Sequence, residues 1–109
     1  MNITGEIRWY LGENYARLKY SESKEAFSID TVLVPSPHRE KGIGTMLVKH
    51  VLFMADAFNK KVHVAVRPLG QNDERQLIRL VKFYQRFNFE YEDRGLTVVY
   101  MVRFPHSAN

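Results

Sequence analysis

The chain has 109 residues, 45% hydrophobic and 26% charged, with a formal net charge of +4 and no cysteine. This balance fits one folded domain over residues 1–109 with its own core and a frayed tail over residues 105–109, and it excludes disordered and fibrous classes. Without cysteine there is no disulfide framework, thiolate zinc site or cysteine nucleophile. No apolar run approaches the roughly 18 to 20 residues of a membrane span, and the N-terminus lacks a basic stretch followed by an apolar one. A cytoplasmic setting with no membrane partner is therefore expected. The positive charge suits a phosphate-bearing cofactor or a nucleic acid equally well. Its carriers, among them Arg8, Arg17, Lys19, Arg67, Arg75, Arg79, Lys82 and Arg103, are spread over several segments. A solvated basic surface explains that spread, so nucleic acid is the weaker of the two partners.

Residues 3–11 alternate, with Ile3, Ile7, Trp9 and Leu11 on one face and Thr4, Glu6 and Arg8 on the other, which predicts a half-buried strand. Gly12-Glu13-Asn14 signals a turn, and alternation resumes over residues 15–20, so the two runs read as a hairpin. Residues 21–25 are polar and read as another turn. Residues 26–34 are rich in β-formers, with Phe27, Ile29 and Leu33 on one face and Ser28, Asp30, Val32 and Val34 on the other. That pattern predicts a central strand covered on both sides.

Pro35 and Pro37 stop the strand, since neither can donate a ladder hydrogen bond. After a glycine-bearing turn, Met46, Leu47, Val48, Val51, Leu52, Met54, Ala55 and Phe58 form a wide helical stripe that packs on a sheet. Residues 60–67 alternate as a strand, and Pro68, Gly70 and Asn72 mark a loop. A second helix is predicted over about residues 73–87, with Leu77, Leu80, Val81, Tyr84 and Phe87 on its apolar stripe. Asn72 suits its N-cap, and Asn88 suits the left-handed residue that ends it. Residues 89–93 and 97–104 complete the set as two strands about an Arg94-Gly95 turn. The resulting order is β-β-β-α-β-α-β-β, a mixed α/β sheet, mostly antiparallel, with right-handed crossovers where helices intervene.

The stretch Val32-Leu33-Val34-Pro35-Ser36-Pro37-His38-Arg39-Glu40-Lys41-Gly42-Ile43-Gly44-Thr45-Met46-Leu47 carries the chemistry. A strand runs through a short loop into a helix, whose first four N–H groups have no intrahelical partner and whose dipole places about half a positive charge there. An anion fits such a site. Gly42 and Gly44 allow close approach to the backbone, while Arg39 and Lys41 add formal charge. A plain strand-to-helix corner accounts for the glycines as well. The spacing is neither G-x-x-x-x-G-K-[ST] nor a three-glycine dinucleotide fingerprint.

The remaining pattern, R-x-x-G-x-G directly after a strand ending in Leu33-Val34, resembles the acyl-CoA signature of the GCN5-related N-acetyltransferase family. Phe83-Tyr84-Gln85-Arg86-Phe87-Asn88-Phe89 is similar to the family's Y-x-x-x-G-F helix end, with Asn88 in place of glycine. The resemblance spans Glu6 to Phe104 and implies an acyl-CoA N-acyltransferase-like core that uses acetyl-CoA or another acyl-CoA. In that family an amine attacks the thioester directly. Carried over, Val32, Leu33 and Val34 offer backbone groups to the pantetheine arm, and Arg39, Lys41, Gly42, Ile43, Gly44 and Thr45 wrap the pyrophosphate. Asn72 meets the arm at the mouth of the second helix. Tyr84 takes the position that protonates the departing thiolate, although a core tyrosine explains that residue almost as well.

Asp30 is the best-placed carboxylate for the general base, ahead of His63 and then His38. No spacing of histidines and carboxylates suits a metal, so none is expected. Family members usually carry a strand and two helices ahead of the hairpin, and here two residues precede Ile3. The resemblance is therefore to a short member whose acceptor side is open. A second copy or a partner protein completes the pocket, or the amine acceptor, small molecule or protein, binds across an open face. A degenerate domain that binds CoA or a protein partner without turnover is the alternative, with a basic nucleic-acid-binding protein third.

Overall fold

The computed structural model describes residues 2–39, 41–68 and 74–105. The elements run β1 (Ile3–Leu11), β2 (Asn14–Glu22), β3 (Ala26–Leu33), a single 3-10 turn (Ser36–His38), α1 (Ile43–Ala57), β4 (Lys61–Val66), α2 (Glu74–Gln85), β5 (Glu90–Arg94) and β6 (Val99–Arg103). The strands form one sheet in the order β1-β2-β3-β4-β6-β5. The β3–β4 pair is parallel and every other pair is antiparallel, so the mixed, mostly antiparallel α/β fold follows the sequence pattern. The expected loop residues Gly70 and Asn72, the helix start at Asp73 and the tail beyond Pro105 lie outside the described residues.

Alternation decides which face is buried. Ala16 and Leu18 of β2, Phe27 and Ile29 of β3, Val62, Val64 and Val66 of β4, and Val99 and Met101 of β6 join Leu47, Val48, Val51 and Ala55 of α1 and Leu77 and Tyr84 of α2 in one cluster. Both helices thus pack on the same face of the sheet. The opposite face carries Glu6, Arg8, Arg17, Lys19, Ser28, Asp30, His63 and Tyr100, all exposed or half-buried. Among the described residues no element covers it.

Three expectations need correction here. The polar residues Ser21 and Glu22 belong to β2 rather than to a turn, because β1 and β3 flank them and satisfy their backbone on both sides. The turn shrinks to residues 23–25, where Ser23 N donates to Ala26 O at 2.8 Å and the Ala26 amide donates to Ser23 Oγ at 3.2 Å. In α1, Met46 and Phe58 leave the buried stripe and are mostly exposed.

The third correction concerns β3, which is central in the sheet but covered on one face only. Tyr20 pairs with Ile29 and Lys19 with Thr31, so β3 carries one residue more than β2 at this point, and that residue is Asp30. The bulge shifts the alternation: Val32, opposite the buried Leu18, turns toward the helices, and Asp30 does not share its face. Asp30 lies with Ser21 on the open face, where Ser21 Oγ donates to Asp30 Oδ1 at 3.5 Å.

Two ion pairs tie the layers. Arg103 of β6 is buried and grips Asp56 of α1 with two hydrogen bonds of 2.8 and 3.0 Å. Lys60 Nζ donates to the Ser23 carbonyl at 2.9 Å and pairs with Glu22, locking the start of β4 to the β2–β3 turn.

Candidate functional site

The start of α1 has the features of an anion cradle. Gly42 is its N-cap with φ 81°, a left-handed backbone that L side chains adopt at a cost, and no side chain caps the helix. The first intrahelical bond runs from Met46 N to Gly42 O at 3.0 Å, so the amides of Ile43, Gly44 and Thr45 precede it and have no intrahelical acceptor. No acidic residue stands in the first turn. A Cβ on Gly42 would meet nothing within 4 Å, and one on Gly44 would reach Phe83 and Val34 only at 3.9 Å. Neither glycine is forced by crowding from the protein itself. Lys41 is exposed beside Gly42, and the Ile43 side chain is buried in the core, leaving only its backbone toward the cradle. Arg39 is anchored: its Nε donates to the Val34 carbonyl at 3.1 Å. One backbone acceptor at the end of the central strand is thereby engaged by the loop's own arginine.

Immediately before the cradle the sheet opens. The parallel ladder pairs Ala26 with Lys61 through Ile29 with Val64 and ends there, although β3 continues to Leu33 and β4 to Val66. The Asp30 bulge sits at this end point. Over residues 30–33 β3 is held by β2 alone, so its other edge presents backbone donors and acceptors to the gap. Such groups require partners. An extended, amide-bearing chain laid between β3 and β4 would supply them, and its anionic end would then reach the start of α1.

Tyr84 lies on the helix face, 7% exposed, with its ring edge-on to Phe83 at 5.1 Å and Phe89 at 5.4 Å. Its neighbour Phe83 reaches the first turn of α1, where a Cβ built on Gly44 would lie 3.9 Å from its ring, so α2 brings Phe83 beside the cradle. Burial pushes the Tyr84 phenol up to about 12, because the phenolate is the form that loses solvation. The group therefore holds its proton throughout the physiological range.

On the open face the same break makes a cleft of about 220 Å³ lined by Asp30 and Ser28 of β3, His63 and Ala65 of β4, Glu92 of β5 and Tyr100 of β6. The structure thus brings two expected base candidates, Asp30 and His63, into one cleft and places Tyr84 on the other side of the sheet. His38 sits in the 3-10 turn, its amide bonded to Pro35 O at 2.8 Å. Asn72 lies outside the described residues. Glu92, Tyr100 and Phe83 were not singled out by sequence reasoning. Glu92 belongs to a second bulge, since Tyr91 pairs with Met101 and Asp93 with Tyr100, and alternation alone gives no sign of it.

No protein-family model and no curated protein matches the sequence. Solved structures do match the fold. The anti-CRISPR protein AcrVA5 is similar over 88% of this chain and 97% of its own, with a TM-score of 0.63 and 23% identity. The ribosomal-protein-S18-alanine N-acetyltransferase from Escherichia coli is similar over 97% of this chain and 72% of its own, with a TM-score of 0.78 and 11% identity. The PaiA N-acetyltransferase from Thermoplasma acidophilum, in complex with coenzyme A, is similar over 93% of this chain and 60% of its own, with a TM-score of 0.76 and 13% identity. Together with the opened β3–β4 pair and the glycine-started α1, these similarities identify the chain's architecture as the acyl-CoA N-acyltransferase fold of the GCN5-related N-acetyltransferases.

Proposed function

We propose that the protein is an acyl-CoA-dependent N-acyltransferase, with acetyl-CoA the first candidate donor. The observation that carries this reading is the junction of three features: a parallel ladder that stops at Ile29–Val64, a free strand edge over residues 30–33, and an uncapped helix start at Gly42 one loop later. The amide-rich pantetheine arm suits the edge, and the pyrophosphate suits the helix start. The coenzyme A held by a protein of the same fold supports the assignment.

In this reading Val32, Leu33 and Val34 bond the arm through their backbone. Gly42, Ile43, Gly44 and Thr45 offer amides to the phosphates, Lys41 adds charge, and Arg39 buttresses the loop through Val34. Asn72 remains a candidate contact for the arm. When bound, the donor supplies an acyl group activated as a thioester. The chain's own residues orient it, keep water from its buried side, and manage protons. Tyr84 offers a phenolic hydrogen bond on the helix side of the gap. With its pKa near 12, well above the roughly 8.5 of an ordinary thiol, the phenol stabilises a leaving thiolate as a hydrogen-bond donor more readily than by complete proton transfer. The same mismatch favours, as a second reading, a domain that binds CoA without turnover.

Thermal denaturation with and without acetyl-CoA tests the assignment. Ligand at 100 times its dissociation constant adds about 2.7 kcal/mol, and each kcal/mol moves the midpoint of a domain near this size by roughly 4 to 8 °C. No shift at millimolar ligand overturns both readings. A shift without transfer to any amine leaves the binding domain.

A further inference from the structure

We propose that the free edge of β1 is the interface for a second copy of this chain, the two β1 strands pairing antiparallel about a two-fold axis at Ile7. This inference goes beyond the acyltransferase reading and does not depend on it.

The two edges of the sheet are built differently. β5 spans five residues, is bulged against β6 and carries Glu90, Glu92 and Asp93. Shortness, a bulge and charge each blunt an edge against pairing. β1 spans nine residues, pairs with β2 without a register shift, and contains neither lysine nor proline. Among the described residues nothing pairs with its outer side. It therefore offers an unbroken row of backbone donors and acceptors to another strand. Ile3 and Trp9, on the helix-side face of this edge, are 61% and 42% exposed, so apolar surface accompanies the open backbone.

The occupant follows from the sequence of β1, which complements itself. A two-fold axis perpendicular to the sheet keeps each strand's faces, so same-face residues meet and the axis falls on a residue paired with its own copy. An axis at Ile7 pairs the whole strand. Ile3 then stands opposite the partner's Leu11, Gly5 opposite the partner's Trp9, and Glu6 opposite the partner's Arg8, with each pair made twice. Opposite charges directly across a ladder are favourable and like charges are not. Moving the axis to Glu6 or Arg8 sets that residue against its own charge and shortens the ladder. An axis at Gly5 or Trp9 shortens it further. Pairing β1 with the β5 edge of another copy is heterologous and leaves a free edge at each end, so it does not close.

Two details of the free edge fit this register. Gly5 is kept bare by Tyr20, whose ring a Cβ there would strike. The partner's Trp9 arrives at that position, where its indole gains the Tyr20 ring as an apolar neighbour. On the open face, Arg8 and Arg17 stand directly opposite each other in the β1–β2 ladder. Glu6 serves both, with Oε2 2.9 Å from Arg8 Nε and Oε1 3.7 Å from Arg17 Nη1. That Oε1 is buried and has no hydrogen-bond donor among the described residues. The partner's Glu6 gives Arg8 a second carboxylate, which frees its own Glu6 to close on Arg17.

Sedimentation velocity from micromolar to millimolar protein reads the stoichiometry, and a concentration-dependent dimer is expected. Arg8→Glu and Glu6→Arg are each expected to weaken it at least tenfold. Their equimolar mixture is expected to restore it, because both cross-axis pairs then join opposite charges again. Since the chain has no cysteine, single cysteines read the register. Ile7→Cys meets its own twin at a Cα spacing that a disulfide spans. The twin of Ile3→Cys lies about 27 Å away, eight residues at roughly 3.4 Å each. Under mild oxidation Ile7→Cys is expected to cross-link at least tenfold faster than Ile3→Cys, although residue 3 is the more exposed. The cysteine variants keep both charges and the charge variants keep Ile7, so loss of the fold in one set leaves the other decisive. A monomer at millimolar concentration, growth beyond the dimer, cross-linking of Ile3→Cys as fast as Ile7→Cys, or no recovery in a mixture of folded charge variants overturns the proposal. The acyltransferase reading is judged separately, by the acetyl-CoA midpoint shift.

Discussion

Gly44→Ala separates a turn glycine from a ligand glycine, because the two roles predict opposite outcomes for binding and the same outcome for folding. A Cβ at residue 44 would touch only Phe83 Cζ and Val34 Cγ2, each at 3.9 Å, which is ordinary contact. Alanine is favoured over glycine within a helix, and at a compatible site the exchange stabilises by about 0.4–1 kcal/mol. The midpoint of the ligand-free protein should rise by roughly 2–8 °C. The new methyl would occupy the slot between α1, Phe83 and Val34, which the proposed pyrophosphate site requires to be open. A tenfold loss of affinity corresponds to 1.4 kcal/mol. At acetyl-CoA equal to 100 times the parent's dissociation constant, the ligand's contribution should therefore drop from about 2.7 to about 1.4 kcal/mol. Differential scanning fluorimetry with and without acetyl-CoA reads both numbers. A stabilised variant with the full acetyl-CoA shift would refute the cradle and leave a simple corner. Gly42→Ala is the control of opposite sign: its φ of 81° costs alanine about 1–2 kcal/mol, so the ligand-free midpoint should fall.

Two further substitutions test the core around the site. Burial raises the Tyr84 phenol from 10.0 to about 12, so its contribution to stability is full below pH 10 and is lost as pH rises from 10 to 12. The loss is about 2–3 kcal/mol. Tyr84→Phe should remove that part of the alkaline slope in urea titrations at pH 9 to 12, and an unchanged slope would place the phenol in water. If the phenol also assists the leaving thiolate, the same variant should slow transfer while the fold stays intact. Arg103→Ala should destabilise the protein by about 1–3 kcal/mol by removing two charge-assisted hydrogen bonds to the part-buried Asp56 carboxylate. Urea unfolding at pH 7 measures this, and a change below 1 kcal/mol would show the pair to be solvated.

The order of elements was legible because hydrophobic period and turn chemistry agreed along most of the chain. Asn88 shows this best: its place after the Tyr84–Phe87 stripe predicted a left-handed residue, and its φ is 69°. Gly42 was legible as a turn glycine before the helix, while its left-handed N-cap backbone, which Gly44 does not share, was not. The faces of the central strand were not. Strict alternation over residues 26–34 groups Asp30 with Val32 and Val34, and only the pairing with β2 reveals the extra residue that separates them. Glu92 was hidden in the same way, as an acidic residue in an edge strand whose aim depends on register. The open face was half legible: β1, β2 and β4 alternate as strands buried on one side, whereas the valines of β3 suggested cover on both. Bulges are set by how strands match across a sheet, so they lie beyond one-dimensional periodicity.

That dependence on pairing links the bulge to ligand binding through the backbone. Beyond Ile29–Val64, β3 keeps its ladder with β2 and lacks one with β4. The amides of residues 30–33 that point away from β2 are thus held by solvent in the free protein, and local opening there requires the loss of few bonds. An arm laid in the gap would give those amides protein-like partners, while phosphates at the start of α1 would engage Ile43, Gly44 and Thr45. Acetyl-CoA should therefore slow hydrogen exchange in two separate windows, residues 30–34 and 42–46. The β1–β2 ladder should change only by the global stabilisation. Slowing of uniform size along the chain would mean binding without use of the gap, and slowing in the second window alone would reduce the site to an anion cradle. Slowing in both, absent for inorganic pyrophosphate in the first, assigns the strand edge to the arm and the helix start to the phosphates.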